Sequence, residues 1–180
     1  MCQLLLDHHN PETLEYGVSS FVFRATRPFH PVRLDAVLGE LRSRSSALWN
    51  PVIRSKGHVW VATRPDQQGA WAHTGAQVHL TGGTAFWAAV PRSEWPEDAA
   101  EIFDIVQGWD RHYGDRCTTL VVIGVKMDHA AVEAALNAAL VDPHDLHDGE
   151  GQSKWDELED PFAAWVPDER LVDHGSDDGE

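Results

Sequence analysis

Between Tyr16 and Pro31 the chain has few conformations open to it. Val18, Phe21, Val22 and Phe23 are β-branched or aromatic, the side chains that fit a pleated, buried surface. Pro28 and Pro31 each lack the N–H that a strand ladder needs, so the strand must stop before them. Pro31 also suits the first position of a helix, where a missing N–H costs nothing. Gly17 frees the chain from whatever precedes it. The stretch therefore predicts a strand over 18–25 that feeds directly into a helix.

The remaining elements follow in order. Leu34, Val37, Leu38, Leu41 and Leu48 recur at helical spacing and predict a helix from Pro31 to Leu48. A second strand is expected over 52–63. Its alternation puts Arg54, Lys56, His58 and Trp60 on one face, and Ile53, Ser55, Gly57, Val59 and Val61 on the other. Residues 65–69 read as a turn and residues 70–80 as a third strand with His73, Gln77 and His79 on one face. Residues 81–84 read as a hairpin turn, and a fourth strand is expected from Ala85 to Val90. A second helix is expected from Pro96 to Trp109. The run Leu120–Val125 predicts a last strand over 117–126, apolar enough to be buried on both faces. Asp128 is a good N-cap for a third helix over 129–140.

This order, β-α-β-β-β-α-β-α, predicts an α+β fold. With one hairpin strand and the last helix set aside, it is the β-α-β-β-α-β of a ferredoxin-like antiparallel sheet. The division expected is a connector over 1–15, a domain over 16–141 and an acidic tail over 142–180. That tail holds 14 acidic and two basic residues against 15 and 12 in the remainder, so most of the net charge of −15 belongs to it. Its acidic, Gly-rich composition predicts a mobile tail. Within it, Asp160–Trp165 is expected to form one helical turn that docks Phe162 and Trp165.

Several function classes are disfavoured. Net negative charge argues against binding nucleic acid through its phosphates. No apolar run approaches the roughly 20 residues of a membrane span. Met1–Leu6 is too short and lacks the basic start of a signal peptide. Cys2 and Cys117 match no metal or redox spacing, so a reducing, cytoplasmic setting is the default expectation. Cys117 opens an apolar strand, where a thiol is usually inert packing.

Four segments resemble the C-terminal domain of the CobW family of GTP-dependent metal chaperones. They are Glu15–Arg24; Arg27–Pro31; Arg54–Gly57 followed by Val59-Trp60; and Gly114–Arg116 followed by Leu120–Gly124. They stand in the family's order and spacing, and Pro91–Pro96 is similar to the actinobacterial version. The resemblance covers about residues 10–141. The family's GTPase domain needs G-x-x-x-x-G-K-[ST] to hold phosphates, and neither that motif nor the family's Cys-x-Cys-Cys occurs here. The chain is therefore expected to be the C-terminal half alone. The resemblance implies a non-catalytic accessory domain in zinc or cobalt homeostasis, with a GTPase domain or a metal-receiving client as partner.

Candidate contact residues are Arg24, Arg27, Arg54, Lys56, His58 and Arg116. Arg54, Lys56 and His58 could meet an anion or an acidic partner surface. Equally, theirs could be the solvated side of a sheet, with Trp60 shielded by a helix or the tail. Arg24, Arg27 and Arg116 could cluster at the sheet end or pair with Asp115 and Glu94. The alternative function is a small anion- or ligand-binding protein, or an enzyme, using the basic strand face. No cofactor is expected beyond weak zinc binding. The metal candidates are His144 and His147, among Asp142, Asp145 and Asp148, and His8 and His9 beside Asp7; zinc prefers three or four N/S ligands. His30 is expected to make a local hydrogen bond.

Overall fold

A computed structural model describes residues 17–142 and 151–171. The strands are β1 (Val18–Ala25), β2 (Val52–Val61), β3 (Arg64–Thr74), β4 (Gln77–Ala85) and β5 (Thr118–Val125). The α-helices are α1 (Pro31–Ser43), α2 (Ala99–Val106), α3 (His129–Ala138) and the short α4 (Gly151–Asp156). The five strands make one sheet in the order β1-β5-β2-β3-β4, every neighbouring pair antiparallel. β1 and β2 thus lie parallel on either side of β5, a split β-α-β unit. The α+β class and the antiparallel sheet with its extra hairpin strand are as the sequence predicts.

The junction after β1 is clamped on both sides. Phe29 is fully buried; its N–H donates to the Trp60 carbonyl and its carbonyl accepts from Ala62 N–H. The N–H of His30 donates to Ala139 O, and that of Val141 donates to Pro28 O. Pro31 is the first helical residue, as its missing N–H requires. His30 Nδ1 is buried with no hydrogen-bond partner among the described residues.

One face of the sheet carries the core. Phe23, Val59, Val61, Trp71, Val78, Leu120 and Val122 meet Leu34, Leu38 and Leu41 of α1 and Val132 and Leu136 of α3. α1 packs toward β4 and α3 toward β1. Ser55, Trp71 and His73 form a buried polar link in this layer. Trp71 Nε1 donates to Ser55 Oγ at 2.7 Å, Ser55 Oγ meets His73 Nδ1 at 3.2 Å, and His73 Nε2 donates to Gly75 O at 2.8 Å.

Several boundaries differ from expectation for physical reasons. Helix α1 ends at Ser43, not Leu48, because Arg44 takes a left-handed φ of 50°. The β2–β3 turn is Ala62-Thr63, and the β3–β4 turn is Gly75-Ala76 with Gly75 at φ 63°. The turn-like segments 65–69 and 81–84 lie inside strands, and Gly69 pairs with Gly82. Those glycines serve packing: a Cβ on either would stand 3.0 Å or less from Trp165. The expected fourth strand, Ala85–Val90, contributes only Ala85 to β4 and otherwise turns. The expected shared face of His73, Gln77 and His79 is split, with His73 buried and the other two exposed on β4. β5 is buried on one face only, since Val121 is 41% exposed. Helix α2 starts after Asp98, whose carboxylate caps Ala100 and Glu101, and buries none of its residues fully.

The acidic segment is also corrected in part. Residues 154–171 form a packed strap, not a mobile tail. Trp155 is buried against Trp60, and Phe162 and Trp165 pack against the core. Docking occurs without the expected helical turn, since residues 160–168 form neither helix nor strand. Arg64 holds the strap. Its guanidinium donates to Asp160 at 2.8 and 3.1 Å, to Phe162 O and to Ala163 O, and it lies 4.3 Å over the Trp165 ring. Burial pushes the Asp160 carboxyl up, but hydrogen bonds from Arg64, Thr63 and Phe162 N–H outweigh it and hold it below the usual range. Asp168 is held well below that range by Arg170, and also accepts Ala85 N–H. The connector expected over 1–15 and the remaining parts of the acidic tail, 143–150 and 172–180, lie outside the described residues.

Candidate functional site

Opposite the core, the sheet is open among the described residues. Strand alternation brings Ser20, Val22 and Arg24 of β1, Thr119, Val121 and Ile123 of β5, and Arg54, Lys56 and His58 of β2 to this side. The register sets three cross-strand rows: Ser20–Ile123–Arg54, Val22–Val121–Lys56 and Arg24–Thr119–His58. The middle of the patch is apolar and its flanks are cationic. Arg24, Arg54 and Lys56 are exposed, and none forms a hydrogen bond or ion pair with another described residue. A bulge between Val52 and Arg54 takes Ile53 out of the expected alternation and leaves it 40% exposed.

Among the described residues, only one end of this face is covered. Trp60 belongs to it by parity, yet is fully buried. Tyr113 and Trp155 close over it, with ring centroids at 5.1 and 5.8 Å. The strap therefore shields Trp60 and stops short of Lys56.

The six expected contact residues divide into two groups. Arg24, Arg54, Lys56 and His58 share the open face. Arg27 and Arg116 are spent on structure. Arg27 Nη1 donates to Val141 O at 2.7 Å. Arg116 donates to Pro65 O at 2.6 Å and Tyr113 O at 3.1 Å, and its ion pair is with Asp66 at 3.7 Å. The expected pairings with Asp115 and Glu94 do not form among the described residues; the Asp115 carboxylate accepts the N–H groups of Trp87 and Ala88 instead. His8, His9, His144 and His147 lie outside the described residues. Among the described residues no group of three or more His, Cys, Asp or Glu side chains is placed to hold a metal, and no helix is long and apolar enough to cross a membrane.

At the Arg24–His58 row the face opens into a cavity of about 770 Å³, which Arg24, Arg27, His58, Arg116 and Cys117 all line. Cys117 is half-buried, and its Sγ lies 3.6 Å from His58 Nε2. Burial pushes the His58 imidazole below its ordinary pKa, and the Asp115 charge offsets this only in part. Sequence reasoning sets Cys117 aside as packing. The pair is 59 residues apart, and only the β2–β5 pairing brings the two together.

An antiparallel sheet with one covered face and, among the described residues, one bare, cationic face defines an open-faced α+β sheet domain. Comparison with known proteins then gives the family. Residues 18–140 match the cobalamin synthesis protein cobW C-terminal domain. The chain belongs to that family. It is 34% identical over 139 residues to the zinc-regulated GTPase metalloprotein activator 1 of Dictyostelium discoideum, covering 77% of this chain and 28% of that protein. It is 30% identical over 160 residues to the zinc chaperone Rv0106 of Mycobacterium tuberculosis, covering 88% of this chain and 37% of that protein. The chain thus spans well under half the length of either relative. The Zn(II)-bound YjiA GTPase of E. coli superposes with a TM-score of 0.49 at 14% identity, covering 77% of this chain and 35% of that one.

Proposed function

We propose that the chain is a non-catalytic docking module in zinc or cobalt homeostasis. Its open sheet face meets the acidic surface of a CobW-type GTPase domain or of a metal-receiving client. The observation that carries this reading is the set of three cations without a described partner, Arg24, Arg54 and Lys56, around exposed Val121. In a chain of net charge −15, acidic side chains are plentiful. Three cations left without described partners on one surface are therefore available to an external anionic group. The names of the two relatives, a metalloprotein activator and a zinc chaperone, support the metal context. In this role the chain needs no cofactor of its own and takes part in no hydrolytic step.

The test is a binding titration of the full chain against a separately expressed CobW-type GTPase domain and against a panel of client metalloproteins. Binding should weaken as salt rises and should be lost in Arg54→Glu/Lys56→Glu while the fold stays intact. Binding to a client but not to the GTPase domain would identify the client as partner. An unchanged affinity in the double variant would overturn the docking face.

A further inference from the structure

The cavity beside the open face contains a pair that docking does not need. Cys117 immediately precedes β5 and His58 stands on β2, so two separate strands bring a thiol and an imidazole to 3.6 Å. Both line the cavity of about 770 Å³ and both are partly exposed. A cysteine placed only to pack has no need of an imidazole at its sulfur. A thiol becomes a nucleophile when a neighbouring group accepts its proton.

We infer that Cys117 and His58 form a reactive thiol–imidazole pair, a site where a small carboxylate-bearing disulfide thiolates the chain. His58 is neutral because burial disfavours its charged form. With its proton on Nδ1, it presents the Nε2 lone pair to the thiol. As Sγ attacks one sulfur of the small disulfide, His58 accepts the Sγ proton. The S–S bond of the small disulfide breaks and a new one forms to Cys117. The departing thiolate takes the proton from His58. The Cys117 thiol is oxidised to a mixed disulfide, and the leaving half of the small molecule is reduced to its thiol.

Cationic and anionic side chains line the cavity in equal number, so the preference for an anionic reagent rests on Arg24 and not on the net charge. Six charged side chains line the cavity: Arg24, Arg27, Arg116, Asp104, Asp110 and Asp115. Four are committed to the backbone. Arg27 and Arg116 donate to carbonyls; Asp110 accepts the N–H of His112 and Tyr113, and Asp115 accepts those of Trp87 and Ala88. Asp104 lies on α2. Arg24 shares the row of His58, separated from it only by Thr119, and has no described partner. Arg24 is the group that meets the carboxylate.

Oxidised glutathione serves as the probe, with the full chain carrying Cys2→Ser so that Cys117 alone reacts. Mass spectrometry should show one glutathione added at Cys117, about tenfold or more faster in the folded chain than in the same chain unfolded in urea. The His58→Gln variant should lose most of that advantage and need a higher pH to react. Arg24→Gln should slow oxidised glutathione several-fold and leave the neutral 2-hydroxyethyl disulfide unaffected. Equal rates in the folded and unfolded chain would overturn the site without reliance on any variant. A folded His58→Gln chain that reacts like the parent would remove the imidazole's role. Equal slowing of both disulfides by Arg24→Gln would remove the anion preference.

Discussion

The two faces of one sheet have opposite designs although the same strands make both. Leu120 and Val121 are adjacent in β5, with the first fully buried and the second 41% exposed. The inner face is closed three times over, by α1, by α3 and by the strap bearing Phe162 and Trp165. The outer face has one cover, Trp155 and Tyr113 over Trp60, and is otherwise bare among the described residues. Burial and stability belong to the first face. Charge without a described partner belongs to the second, and with it the docking role proposed above. An apolar strand is thus not evidence of a two-sided core: β5 spends half its apolar side chains on a surface.

The sharpest way to break this comparison is to truncate those two neighbours. Leu120→Ala should cost about 2–5 kcal/mol in denaturant unfolding, through lost burial and the cavity left behind. Val121→Ala should cost less than about 1 kcal/mol. Similar losses would mean that the outer face is covered in solution.

Next in size is the strap. Trp165→Ala removes the indole lying against Gly69 and Gly82 and beneath Arg64. A loss of about 2 kcal/mol is expected, with the sheet retained in circular dichroism. Global unfolding would show instead that the strap nucleates the core.

The strap should also fail first in acid. Asp160 and Asp168 both titrate below the ordinary carboxylate range in the folded chain. Their contribution is present above the unfolded value near about 4 and is lost as pH falls through the lower folded values. Tryptophan fluorescence from the strap should change below about pH 4, and Asp160→Asn should weaken that transition. A separate change is expected nearer neutrality. Burial lowers the pKa of His73, as it does for His58 and His30. Stability should therefore decline as pH falls from about 7 toward 5, because the unfolded chain binds those protons more readily. A flat profile over that interval would count against neutral, buried imidazoles.

The smallest expected effect lies outside. Lys56→Ala should change stability by no more than about 0.5 kcal/mol, since the side chain has no described partner. Its value to the comparison is that partner affinity should fall while stability does not. A stability loss as large as that of Trp165→Ala would place Lys56 in the packing.

Local chemistry makes some of this legible in the sequence. Pro28 and Pro31 fix where β1 ends and α1 begins, and β2 alternates as read from Arg54 onward. The expected hairpin turns fall several residues away from the real ones because Gly69, Gly82 and Gly83 look like turn residues. Gly69 and Gly82 instead make room for Trp165, a residue 83 or more positions further along. Turn signals cannot distinguish a glycine that bends the chain from one that receives a distant ring. The commitment of Arg27 and Arg116 to carbonyls, and the meeting of Cys117 with His58, depend on strand order. Strand order is a non-local property that periodicity does not carry.

The position of β5 has a consequence for how the chain comes into being. β5 is the last of the described strands to be made, yet it occupies the gap between β1 and β2. Val18 must wait for Val125 before its ladder exists. A growing polypeptide can assemble the β2-β3-β4 meander from neighbours, but β1 stays without a ladder partner until Thr118–Val125 arrives. Closing so long a loop is entropically slow. The rate-limiting event in synthesis is therefore expected to be insertion of this one strand, and the half-built sheet before it is the species that most needs protection from aggregation.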